Sequence, residues 1–130
     1  MTDGEFLAQL ENGKISPAEF HHTDHVRMGF CLLRKYGFGG ACERARVLLN
    51  DFAARAGKPG LYHETVTVAF LALINARAAA KAHDDFASFA AANPGLFDKN
   101  ALERFYGPAQ LNSPLARRAF LLPGDTGPGA

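Results

Sequence analysis

The sequence contains no tryptophan, only two cysteines, and among its 130 residues just eleven valines, isoleucines and threonines together. β-Branched residues are what strands prefer, so this shortage argues against a sheet-rich protein. Cys31 and Cys42 are too few and too far apart to form a disulfide framework or a CxxC metal pair. No apolar run approaches the ~20 residues a membrane span needs. Fourteen Lys and Arg against thirteen Asp and Glu leave a formal charge of +1. That balance gives no electrostatic case for nucleic acid or for an anionic membrane. The opening Met-Thr-Asp-Gly-Glu-Phe lacks a basic region followed by an apolar one, so no signal peptide is expected. What the chain has in abundance is alanine, 23 residues of it, and alanine is the best helix former. The expectation is an all-α, single-domain helical bundle of about five to seven helices over 1–123. A short disordered tail over 124–130 and a reducing cytoplasmic setting complete it.

Start and stop signals divide the chain. Asp3 is placed to cap a first helix carrying Phe6, Leu7 and Leu10, which Gly13 ends. Ser16-Pro17-Ala18-Glu19 has the form of a capping box, with proline at the first helical position. Apolar spacing then predicts helices over 24–36, 41–56 and about 62–82, separated by Gly37 to Gly40 and by Gly57 to Gly60. Asp84 or Asp85 should cap a short fifth helix with Phe86 and Phe89. Asp98 should cap a sixth with Leu102, Phe105 and Tyr106, and Ser113-Pro114 should open a last one running to Phe120. Short connections make the three central helices antiparallel neighbours, up, down, up.

The five histidines carry most of the chemistry. His22 and His25 extend one helical stripe through Gly29, Leu32 and Tyr36. That stripe is the apolar one, so both imidazoles are expected to face inward. Gly29 removes bulk one turn below His25, leaving room for a ligand or a neighbouring helix. His63 opens the fourth helix on the stripe of Val66, Thr67, Phe70 and Ile74. The up-down-up order brings the starts of helices two and four to the same end, and with them His22, His25 and His63. Three neutral imidazoles with an open position suit a divalent transition metal, whether Zn, Cu, Fe or Ni.

On that reading Glu64 is a fourth ligand or a general base, and Tyr62, Thr67 and Tyr106 are hydrogen-bonding groups for a small-molecule substrate. The chemistry would be metal-assisted hydrolysis or an oxygen-dependent oxidation. The alternatives are a metal-free pocket for a polar or anionic metabolite, and a helical interaction protein whose histidines are structural. His21 reads as exposed, and His83 lies at the opposite end from His63. The cysteines read as buried small residues, and Arg44, Arg46 and Arg55 as a solvated face. No nucleic-acid or membrane partner is expected, and the protein is expected to be a monomer or a homodimer.

The blocks Phe20-His21-His22-Thr23-Asp24-His25-Val26-Arg27 and Tyr62-His63-Glu64-Thr65-Val66-Thr67, with Asp98-Lys99-Asn100 closing, resemble a group of small bacterial helical proteins. The resemblance covers most of 5–122 and implies a helical fold; those proteins have no assigned activity to carry over. HD-type phosphohydrolases set a His-Asp dyad within a helix, whereas here the order is Asp24-His25. DinB-like three-histidine bundles pair two histidines at i+4 on a later helix, and no later helix here does so. Neither mechanism transfers.

Overall fold

The computed structural model describes residues 1–125. The described residues are all-helical, with six α-helices and no strand. Helix α1, Asp3–Glu11, starts from Thr2 rather than Asp3. Thr2 and Glu5 exchange side-chain and backbone hydrogen bonds in a capping box. Asp3 instead joins three elements: its carboxylate accepts from Arg27 Nε at 3.0 Å and from the Phe86 backbone N–H at 2.9 Å. The Ser16 signal yields only a single 3-10 turn, Pro17–Glu19, because Ser16 Oγ donates to the Glu19 carboxylate instead of capping backbone.

Helix α2, His22–Arg55, merges the helices expected over 24–36 and 41–56. It is not straight. Gly37 has φ 74° and ψ −179°, a conformation open essentially to glycine, and it folds the run into two arms. The second arm returns along the first, so Phe52 near its end stacks on Phe20 just before its start, with ring centroids 4.5 Å apart. Helix α3, Glu64–Ala80, then lies against both arms. Its approach to the first arm depends on Gly29. A Cβ there would sit 2.8 Å from Ile74 Cδ1 and 3.2 Å from Leu71 Cδ2. The space below His25 is therefore filled by a neighbouring helix.

Helix α4, Phe86–Ala92, is capped by Asp85 through the Ser88 N–H. The helix expected after Asp98 is absent: residues 98–106 form a series of turns, and the Asp98 carboxylate bonds the Asn100 N–H two residues on. That local bond offers the backbone a turn in place of a helix. Two short helices follow, α5, Pro108–Leu111, and α6, Pro114–Arg118, the second ending short of Phe120. Fully buried Leu10, Val26, Leu32, Ile74 and Phe89 anchor the core between α1, the first arm of α2, α3 and α4. Each such side chain contributes roughly 1.5–3 kcal/mol by leaving water. The start of the expected tail is tied down, since Gln110 bonds the Leu122 and Asp125 carbonyls. Residues 126–130 lie outside the described residues.

Candidate functional site

A pocket of about 420 Å³ opens between the two arms of α2 and the first half of α3. The first arm and the segment before it contribute Phe20, His22, His25 and Met28. The second arm contributes Ala45, Leu49, Phe52 and Ala53. The start of α3 and the preceding loop contribute Tyr62, His63, Val66, Thr67 and Phe70. No Asp, Glu, Lys or Arg is among the lining residues. A second cavity of similar size, about 430 Å³, is lined by Arg77, Asp98, Asn100 and Arg104 and holds none of the residues expected to form a site.

The hairpin and α3 thus bring His22, His25, His63, Tyr62 and Thr67 to one cavity, as the topology argument anticipated. They do not converge on one point. The first arm runs parallel to α3, with the His22 ring edge-on to Phe70 at 5.6 Å, Gly29 against Leu71 and Ile74, and Arg34 reaching the Asp84 carbonyl. Topology placed the two helix starts at one end, and separate partners keep the imidazoles apart.

Hydrogen bonds hold that separation. His63 is the N-cap of α3. Its Nδ1 accepts from the Val66 N–H at 3.1 Å, and its Nε2–H donates to the Leu111 carbonyl at 2.6 Å. Both nitrogens are engaged, and the partners define the neutral tautomer. His22 Nε2 donates to the Leu96 carbonyl at 3.2 Å. The residues present do not fit a single metal ion as they stand. Among the described residues, no group of three or more His, Cys, Asp or Glu side chains is arranged to hold one.

His25 differs from both. It packs its ring on Phe20 with centroids 4.4 Å apart, and neither nitrogen has a protein hydrogen bond. The residue is exposed rather than turned into the core, yet it lines an apolar wall. Desolvation by that wall, assisted by the nearby His22, pulls its pKa down to about 4, so the ring is neutral at physiological pH.

Glu64 does not enter the pocket. Arg46, expected on a solvated face, grips it through two bonds, Nε to Oε1 at 3.0 Å and Nη2 to Oε2 at 2.6 Å. The Tyr62 hydroxyl donates to the same carboxylate. The Arg46 guanidinium holds the Glu64 carboxyl below its ordinary range, and burial pushes the Tyr62 phenol up to about 12. These shifts suit a structural clamp between α2 and α3 and leave Glu64 a poor base. Thr67 Oγ1 lines the pocket but donates to the His63 carbonyl one turn back. Tyr106 lies elsewhere, buried, with its hydroxyl on the Leu121 carbonyl. Cys31 is buried, with its thiol pushed up to about 11 by desolvation, as an inert core cysteine should be. His21 precedes α2 as its exposed N-cap, and His83 meets Ser88 and Phe89 away from the pocket.

Two features of the site escaped the sequence. The aromatic wall of Phe20 and Phe52 joins residues 32 apart, which pair only because Gly37 reverses the helix. Thr65, fully buried beside the two expected polar residues, donates to the Ala119 carbonyl and accepts from the Leu121 N–H. With His63 on Leu111 and Arg117 on the Leu61 carbonyl, it fastens the C-terminal segment to the start of α3.

No family model, curated protein or solved structure matches the chain.

Proposed function

We propose that this protein is a binding module that holds one small, mostly apolar molecule, without a metal, in the pocket between the arms of α2 and α3. The observation that carries this reading is the pocket itself: about 420 Å³, walled by aromatic and aliphatic side chains, with a few polar groups and no formally charged residue. That size and composition are those of small-molecule sites. The hydrogen bonds of His63 favour it over the three-histidine metal reading, since both its nitrogens are engaged and ligation would require the ring to leave a partner it already satisfies. The clamped Glu64 likewise weighs against a general base and so against an enzyme.

The test uses N-phenyl-1-naphthylamine, an uncharged fluorophore that brightens in apolar surroundings. Saturable one-to-one binding is expected, unchanged by EDTA, and abolished by Val66→Trp, which places an indole in the cavity, while the circular dichroism stays helical. Absence of saturable binding would sink the reading. A melting temperature that falls on chelation would restore the metal.

A further inference from the structure

We infer that the bound molecule is an uncharged aromatic compound whose single polar head donates a hydrogen bond, a phenol-like ligand, with His25 as the acceptor. This inference rests on the proposed binding function and narrows it to a ligand class.

The charge of the ligand follows from the walls. A carboxylate or ammonium entering the pocket leaves water and meets no charged side chain in the lining, and the charges around it are engaged elsewhere: Glu64 with Arg46, and Arg55, over the Phe52 ring, with Asp51 and the Ile15 carbonyl. Burying an unpaired charge is the most costly form of desolvation. The aromatic character follows from the rings that face the space. Phe20 and Phe52 are stacked at 10° to one another, and Phe70 stands on the α3 side. A flat ring meets such walls in offset-stacked or edge-on contact.

The head follows from the hydrogen bonds left over. Among the polar side chains of the lining, His63 has both nitrogens engaged, and the Tyr62 and Thr67 hydroxyl protons are already donated to Glu64 and to the His63 carbonyl. His22 has spent its Nε2–H on Leu96. What remains on His22 and Thr67 is acceptor capacity. Among the described residues, His25 is the one lining group whose two nitrogens are both without a protein partner, and in its neutral form one of them accepts and the other donates. A hydroxyl head, which donates to these acceptors and accepts from the one N–H that neutral His25 keeps, uses this set more fully than a head that only accepts.

Three probes of common shape separate the possibilities by calorimetry at pH 7: 4-propylphenol, 4-propylanisole and 4-propylbenzoate. The phenol and anisole share the ring and tail, but only the phenol donates; the benzoate is an anion. We expect the phenol to bind about tenfold more tightly than the anisole, the value of one good buried hydrogen bond. The benzoate should be weaker than the phenol by at least as much. In His25→Phe the phenol should bind within about threefold of the anisole measured on the same variant, and His25→Gln, which keeps an acceptor, should recover part of the difference. Benzoate binding as tight as phenol overturns the inference, as does a phenol preference that survives in His25→Phe. If the anisole binds as well as the phenol, the ligand class is wrong while the pocket reading stands. If none of the three binds, and N-phenyl-1-naphthylamine does not either, both fall together.

Discussion

His63 shows how one side chain can look like a ligand and act as a joint. Its position before an apolar helix stripe is what a metal ligand and an N-cap have in common, and the structure uses it as the cap. Nδ1 holds the first turn of α3 and Nε2 holds the carbonyl that ends α5. The consequence is measurable. His63→Ala removes the cap, worth about 0.5–2 kcal/mol, and strands the Leu111 carbonyl, at about 1 kcal/mol more. We expect a loss of about 2 kcal/mol in chemical denaturation. His63→Asn, whose shorter side chain caps well but does not reproduce the imidazole's reach to Leu111, should recover roughly half. Equal stability of the Ala and Asn variants would show that the cap is not what His63 contributes. A metal ligand would behave differently, with both variants losing the same metal-dependent stability.

At the scale of the elements, the most consequential residue is Gly37. The sequence marks a break there, and the break is real, but its form was not legible: glycine ends a helix, hinges one or reverses one with equal ease. Here α2 continues through it with one residue at positive φ. The space around it is open, so a side chain meets no steric neighbour and the cost of substitution is the backbone's alone. Gly37→Ala should therefore cost about 1–3 kcal/mol. Gly39→Ala, two residues on, equally open and without positive φ, should gain up to about 1 kcal/mol by helix propensity. Opposite signs in thermal melts of the two variants are the test, and two losses would refute this account of the hairpin.

The same contrast explains what the sequence revealed elsewhere. Periodicity and caps located α1, both arms of α2, α3 and α4, because each carries a long apolar stripe or a capping aspartate. From 98 to 118 only the Ser113 cap of α6 was legible; the rest has neither over more than a few residues, and its turns are held by partners such as Thr65 and Leu121 that no local pattern signals. The pocket residues were legible as a set, through stripe and topology. Their roles were not, because the carbonyls that engage His22 and His63, those of Leu96 and Leu111, lie far along the chain and leave no trace in either stripe.

For the whole molecule, the pocket is a gap between the arms of α2 and α3, and its position is informative. Alanines at 45 and 53 face it from the second arm, buried and small, where the same arm elsewhere presents Leu49 and Phe52. Larger residues at these positions would close the arms on α3 and add buried apolar area. A domain of this size has little core to spare, so an unfilled volume of this kind lowers stability that a simple substitution would recover. On the proposed binding function, a trade between stability and binding follows from this position. Ala53→Leu adds three carbons to the cavity wall without adding charge or changing backbone preference, since leucine is also a strong helix former. We expect it to raise stability by about 0.5–2 kcal/mol in urea denaturation. It should also weaken N-phenyl-1-naphthylamine binding by at least tenfold. If the volume were only a packing defect, stability would rise with no binding to lose. If Ala53 were already tightly packed, the leucine would destabilise by overpacking. A gain in stability coupled to a loss of saturable binding is the outcome that identifies the gap as the site.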